Sequence, residues 1–469
     1  MIDSADSRTT RREFLKTTGQ FASATALGAA ALDFANSAGG QPAVHPGGGD
    51  AIQIALVGCG GRGTGAADNA MTAKGGPVKL VAMADVFQDR LESSYNELKK
   101  KCEVPQDNKF VGFDGYKKAM DLLKPGDIVI LTTPLAFRWV HYTYAIEKGL
   151  NVFMEKPLTA DGPCSRRMLE LNKKAEAKNL KVGVGLMSRH HRPMQELYKR
   201  VQDGEIGDII YMRGYRMHGP VAACFVTKWP GGTPSELLWQ IRNFHSFLWA
   251  SGGLFNDFYI HHVDHLCWMK NDFPAKAQAL GGRHYKFTPE GEPYVDQNLD
   301  TYAVEYTFAD GVKLFMDGRC INGCNDIYSS YAHGSKGSAI VAKHGDFGPP
   351  SMTFKSQQQG RSNMLWTSKS IPGEDDPYVN EWVDLLDAVR NNKPYNEVEH
   401  GVKSSLASSM GRMAAHTGQE ISWDDMLNSQ HEFAPDVDKL TMDSKAPLVA
   451  DASGKYPQPM PGITKTREY

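Results

Sequence analysis

A six-residue apolar run, Ile52 to Val57, passes without a break into Gly58-Cys59-Gly60-Gly61-Arg62-Gly63. Aliphatic and β-branched residues over that length make a buried strand. A helical segment follows from Thr64 to about Ala73. A second apolar strand, Val78 to Ala84, then ends on Asp85, 22 residues past Gly63. Glycine-rich turns occur in ordinary βαβ units, so the specificity lies in the whole order: strand, glycines, helix, strand, acid. That order is the context of a dinucleotide-binding fingerprint. Gly58 permits the tight turn, Gly60 lets the backbone approach a pyrophosphate, and Gly63 lets the helix pack closely. The pyrophosphate is then expected on the helix N-terminus, beside Gly61 and Arg62. Asp85 accepts from the ribose hydroxyls and its charge repels a 2′-phosphate. This predicts NAD, with NADP as the alternative because Arg90 lies close by.

Helices and strands keep alternating. Helices are predicted at Gln88 to Lys101, Gly115 to Leu123, Trp139 to Lys148 and Asp161 to Lys178, with strands at Asp127 to Thr132, Asn151 to Met154 and Lys181 to Leu186. The spacing predicts an α/β domain over 51–187, a doubly wound parallel sheet. Ligands of such sheets bind beyond the C-terminal strand edges. Gly58 to Gly63, Thr132-Thr133-Pro134 and Glu155-Lys156-Pro157 should therefore converge on one crevice. Past Ser188, residues 276–285, 301–308, 312–319 and 337–341 alternate apolar and polar in antiparallel style, with Ala309-Asp310-Gly311 as a hairpin turn. An α+β domain with a mostly antiparallel sheet is expected over 188–432, and helices within 378–417 are expected to return to the nucleotide domain.

A helical segment, Leu254 to Met269, carries Asp257, His261, His262, Asp264 and His265 after the turn Ser251-Gly252-Gly253. Asp257 and His261 are four apart and share a face. Three readings compete for it. Metal ligands at i, i+4 and i+8 drift around the helix, and no further cluster completes a sphere, so no metal is expected. Core histidines on a half-buried helix are the second reading. A proton-transfer pair working with Lys156 is the third and the favoured one.

Glu155-Lys156-Pro157 closing a late strand, after the glycine fingerprint and before Asp257-x-x-x-His261 with Asp264 and Trp268, resembles the Gfo/Idh/MocA family of sugar and inositol oxidoreductases. The resemblance covers roughly residues 51 to 430. It implies a Rossmann domain followed by a mostly antiparallel sheet that commonly builds a dimer, so a homodimer or homotetramer is expected. It also implies hydride transfer between a nicotinamide and the hydroxyl of a sugar, glycoside or cyclitol. Lys156 would lie near both partners, His261 would be the general base and Asp257 the orienting carboxylate. One departure is Arg138, which stands where relatives usually have a His. The aromatic-rich stretch Gly219 to Ala250 is either a sugar-binding loop, with Arg189, Gln240, Arg242 and Asn243 as candidate substrate residues, or a loop packed on the sheet. Two other functions remain in view: a glycosidase that uses bound NAD, resembling glycoside hydrolase family 109, and a non-catalytic sugar sensor. Those glycosidases generally lack Glu-Lys-Pro and rearrange Asp-x-x-x-His, and a sensor would be expected to lose the Lys or His.

The ends carry different information. Thr10-Arg11-Arg12-Glu13-Phe14-Leu15-Lys16, a mild apolar stretch and small residues near Ala35 to Ala38 resemble a twin-arginine (Tat) signal over 1–40, followed by a linker over 41–50. This predicts export to the periplasm or beyond by the Tat machinery, and a tightly bound cofactor loaded before export. Residues 433–469 read as an arm lying on the surface or on a partner subunit. Lys plus Arg number 52 against 54 for Asp plus Glu, so charge gives no reason to expect nucleic acid. No apolar run reaches the ~18 residues of a membrane span. Seven scattered cysteines imply no disulfide framework.

Overall fold

The computed structural model describes residues 50–469. The twin-arginine segment and residues 41–49 lie outside the described residues. Strands β1 (Ile52–Val57), β2 (Val78–Asp85), β3 (Lys109–Val111), β4 (Ile128–Leu131), β5 (Asn151–Met154) and β6 (Val182–Val184) form a six-stranded sheet in the order β3-β2-β1-β4-β5-β6. Every neighbouring pair is parallel. Helices cover both faces, which is why β4, Ile-Val-Ile-Leu, and β5 are buried at every position. The strand order reverses between β1 and β4, and a crevice opens at their C-terminal ends.

The second sheet contains β7 (Ile209–His218), β8 (Lys276–Gly282), β9 (Thr301–Thr307), β10 (Lys313–Cys320), β11 (Ile327–Gly334), β12 (Ser338–Ala342), β13 (Met352–Phe354), β14 (Met364–Thr367) and β15 (Ile421–Ser422). Its order is β14-β13-β12-β11-β7-β10-β9-β8-β15. Only β7 and β10 run parallel. Along β10, Leu314, Met316, Gly318 and Cys320 point into the core, where a Cβ on Gly318 would lie 2.0 Å from the Tyr259 ring. That inner face meets the helix Ile260–Lys270.

Two returning helices join the halves. Trp382, Leu385, Leu386 and Val389 of the helix Pro377–Arg390 pack under the parallel sheet, with Trp382 stacked on Phe153 at 4.6 Å. The helix Val398–Thr417 packs Val398 and Val402 on the parallel sheet and Leu406 and Met410 on the antiparallel one. Residues 433–469 lie against their own chain. Phe433, Val437, Leu448 and Tyr456 join a cluster with Phe247 and Trp249, and buried Glu468 pairs with Arg412 at 2.8 Å.

The continuous α-helix expected over Leu254 to Met269 is instead a wide π-helical turn, Phe255–Tyr259, leading into the α-helix Ile260–Lys270. Extra turns of this kind are often found where a side chain or carbonyl is re-aimed at a site. All seven cysteines are free.

Candidate active site

The four fingerprint glycines divide into two pairs. Gly58 has φ +98°, and a Cβ there would meet the Thr133 nitrogen at 2.7 Å. A Cβ on Gly63 would lie 2.0 Å from the Gly58 carbonyl oxygen, so the helix Gly61–Thr72 could not close on the strand. Thr132, just past β4, donates its hydroxyl to that same oxygen at 2.6 Å and fixes the loop across the switch point. Gly60 and Gly61 are the reverse: nothing lies within 4 Å of a Cβ built on either. Two glycines thus serve packing and two leave the crevice open, the arrangement a pyrophosphate needs.

The crevice encloses about 480 Å³ and is lined by Gly58, Gly60 to Gly63, Asp85 and Thr132 to Pro134. Asp85 accepts from the Cys59 N–H at 2.6 Å and the Phe87 N–H at 2.8 Å. Burial pushes its carboxyl up, and those N–H groups oppose the shift. A dinucleotide fits this donor set.

A second cavity, about 310 Å³, adjoins the first: both are lined by Arg62, Thr132 to Pro134, Phe244 and His245. Glu155 and Lys156 reach it from the end of β5, and Asp257 and His261 from the wide turn and the helix after it. The Lys156 ammonium donates to the Asp257 main-chain oxygen at 2.5 Å and lies 3.5 Å from its Oδ1. His245 Nε2 lies 3.3 Å from Asp257 Oδ2. Burial alone would raise the Asp257 carboxyl, but Lys156, His245 and His261 together hold it well below the usual range. His261 is pushed down to about 4 by burial, reinforced by Lys156 and Arg216 and opposed by Asp346. Its Nδ1 is buried without a hydrogen-bond partner. A neutral imidazole beside an ammonium can take a proton from a hydroxyl while the cation stabilises the oxygen left behind.

All the residues expected at the cofactor and the proton-transfer site line these two cavities. None of the four expected at the substrate does so. Arg189 is turned away by a bidentate pair with buried Asp264, 2.9 to 3.1 Å. Gln240 is fully buried between the Leu448 carbonyl and the Trp249 indole N–H. Arg242 pairs with Asp89 at the ribose end of the crevice, and the Asn243 amide donates to the Trp239 carbonyl. Of the aromatic-rich stretch, Phe247 and Trp249 pack in the core while His245 and Phe244 reach the cavity.

Sequence reading missed Arg216, Asp346 and Tyr378, which complete the wall. A charged residue at an inward position of β7, and an Asp framed by Gly345 and Gly348, were the available signals. Arg138 does not reach the cavity as a free cation. Its guanidinium is buried and donates to the Leu131 and Thr133 carbonyls beneath the loop, and burial brings it down to about 10. Among the described residues no group of three or more His, Cys, Asp or Glu side chains could hold a metal ion, and no helix is long and apolar enough to cross a membrane.

Fold and site together define a two-part protein: a Rossmann sheet with an open dinucleotide crevice, and a mostly antiparallel sheet supplying the facing wall. No family model matches the chain. Over 220 residues it is 31 % identical to scyllo-inositol 2-dehydrogenase (NAD(+)) of Bacillus subtilis, which is 45 % of this chain and 52 % of that enzyme. The match thus spans about half the length of that curated relative. Among solved structures it is similar to myo-inositol 2-dehydrogenase from Lactobacillus plantarum, with TM-score 0.58 and 24 % identity over 80 % of this chain and 99 % of that one. It is also similar to a levoglucosan dehydrogenase in complex with NADH and levoglucosan, with TM-score 0.60 and 16 % identity over 80 % and 99 %. These likenesses establish the fold.

Proposed function

We propose that this chain is a Gfo/Idh/MocA-type oxidoreductase that uses NAD to oxidise a hydroxyl of a sugar, glycoside or cyclitol. The observation that carries the reading is the meeting of Lys156, Asp257 and His261 in a cavity that adjoins the dinucleotide crevice. A bound nicotinamide supplies a hydride acceptor at its C4. Gly60, Gly61 and the N-terminus of the helix Gly61–Thr72 hold the pyrophosphate, and Asp85 holds the ribose. His261 takes the hydroxyl proton as the carbon–hydrogen bond breaks. Lys156 stabilises the oxygen while it carries negative charge, and Asp257 keeps the ammonium in place. Phe244 and Phe258 offer apolar faces for the C–H surface of a ring.

The similarity to inositol dehydrogenases supports the cyclitol arm, and the presence of Glu-Lys-Pro with Asp-x-x-x-His argues against the glycosidase and sensor readings. Incubation of the purified protein with NAD and a panel of inositols and aldoses, followed by the absorbance of the NADH formed, tests the proposal. Dinucleotide binding without oxidation of any member would overturn the activity.

The same proposal extends to export through the Tat route and to a dinucleotide held tightly enough to survive it, recycled by a second substrate. Lys in place of both Arg11 and Arg12 should strand the precursor in the cytoplasm. Mass spectrometry of exported protein should find the nucleotide still bound. A homodimer or homotetramer is proposed through the outer face of the second sheet, where Leu280, Ile210 and Tyr211 are exposed. Light scattering that returned a monomer would refute it.

A further inference from the structure

Three of the four Lys and Arg side chains that line the 310 Å³ cavity are matched by carboxylates. Arg62 Nε lies 2.5 Å from Glu155 and its Nη2 3.3 Å from Glu381. Lys156 faces Asp257 at 3.5 Å, and His245 faces the other oxygen of the same carboxylate at 3.3 Å. Arg216 donates to Asp346 Oδ1 at 2.9 Å and to the Phe258 carbonyl at 2.7 Å. Arg138 spends its guanidinium on two main-chain carbonyls. Arg138 has no carboxylate partner but is buried beneath the loop, so a carboxylate or phosphate seeking an accessible cation would have to evict one of the protein's own carboxylates. A hydroxyl meets no such barrier, because it donates to a carboxylate and accepts from a cation at once.

We infer that this pocket selects uncharged polyols against sugar acids and sugar phosphates, and that the Arg216–Asp346 pair is the specificity-determining element. The inference rests on the proposed polyol reading and adds the charge rule and the residues that impose it. Arg216 and Asp346 stand outside the Lys156–Asp257–His261 group and outside the lining of the dinucleotide crevice. Arg216 leaves the inner face of β7, and Asp346 leaves the loop after β12, so both belong to the second sheet. The pair is nearly buried, with side chains 10 % and 14 % exposed, which keeps its field unscreened by solvent. Asp346 is an anion, held below the usual carboxylate range because His261, Arg216 and His262 outweigh its burial.

The test is a pair of opposite substitutions. Asp346→Asn keeps the shape and the oxygen that accepts from Arg216 but removes the negative charge, which leaves a cation facing the cavity. Arg216→Gln leaves the anion alone. Calorimetric titration of NADH-loaded protein and kcat/KM with NAD are measured for scyllo-inositol and glucose against glucuronate and glucose 6-phosphate. The acid-to-neutral preference should rise about tenfold or more in Asp346→Asn and fall in Arg216→Gln, with NADH affinity within about twofold in both. A merely structural role would weaken all four ligands together in both variants, and that result overturns the inference. Wild-type protein that prefers glucuronate overturns it too. Wild-type protein that binds no NADH, or binds it and takes none of the four ligands, overturns the oxidoreductase reading itself.

Discussion

The Lys156 ammonium and the Asp257 main-chain oxygen lie 2.5 Å apart, across the boundary between the parallel sheet and the second half of the chain. Lys156 ends β5, and Asp257 sits in the wide turn Phe255–Tyr259, so one hydrogen bond joins the two parts of the site. Replacing Lys156 with Ala should leave NADH affinity nearly unchanged and reduce kcat by ~10²–10⁴-fold, the usual worth of a placed proton-transfer group. Fluorescence titration and steady-state rates separate the two effects. Near-normal kcat would remove Lys156 from the chemistry.

His261 sets the acid side of the pH profile. Burial, Lys156 and Arg216 bring its imidazole down to about 4, so the neutral form prevails throughout the physiological range. In wild-type protein kcat/KM should stay level from pH 7 to about 5 and fall around pH 4. In His261→Ala the loss should deepen from pH 7 to about 5, where the wild-type imidazole is still neutral and hydroxide grows scarcer. An unchanged profile in that variant would shift the base to another group.

The parallel sheet and its ligand-facing loops were legible because strand, glycine and acid follow fixed spacings that local sequence reports directly. The second sheet was legible only in part. β7 and β11 escaped notice because Gly214, Arg216, Ser329 and Ser330 break their apolar alternation. Gly214 and Ser330 nevertheless have partners in the fold: a Cβ on Gly214 would lie 2.7 Å from the Met316 sulfur, and Ser330 bonds His265 at 2.8 Å. The site shows the same limit. Lys156, Asp257 and His261 belong to compact motifs, whereas Arg216 and Asp346 are 130 residues apart and meet only through sheet packing. Arg189 was misplaced because its partner Asp264 is 75 residues away. β3, β13, β14 and β15 are two to four residues long, too short to carry a period.

His190 gives the fold an alkaline weakness. Its ring lies 2.7 Å from Asp384 and 3.0 Å from Glu397. Burial opposes the charge, but Glu397 and Asp384 overcome it and raise the imidazole to about 10. A group whose folded value is raised stabilises fully below its unfolded value and loses that contribution as pH climbs through the folded one. The melting temperature should therefore fall between about pH 6.5 and 10. His190→Gln strands Glu397 at a buried site, while Asp384 keeps its two bonds from Arg192, and should cost about 3–5 kcal/mol at pH 6 and flatten this alkaline decline. Chemical denaturation across that range checks both, and an equal decline in the variant would assign it to other groups.

Retention of the dinucleotide should depend on a clamp at its ribose end. Arg242 holds Asp89 through two bonds, 2.8 and 2.9 Å, and its guanidinium lies 4.2 Å from the Phe87 ring centre. Arg90 donates to the Arg242 carbonyl at 3.1 Å from the opposite side. These contacts tie the helix Glu236–Arg242 to the nucleotide-binding half, and Ile241 just inside its end lines the crevice. The 433–469 arm holds the helix from behind, through Leu448 on Gln240 and Tyr456 on Glu236. The Arg242–Asp89 pair is 39 % and 63 % exposed, so solvent screens it to below ~1 kcal/mol. Arg242→Ala and Asp89→Ala should each speed NADH release by no more than about fivefold. The double variant should release no faster than the faster single one, because both remove the same contact. In wild-type protein, raising the salt concentration should reproduce part of the effect. Stopped-flow displacement of NADH fluorescence measures all of these rates, and strictly additive losses would show that the two residues act separately rather than as a clamp.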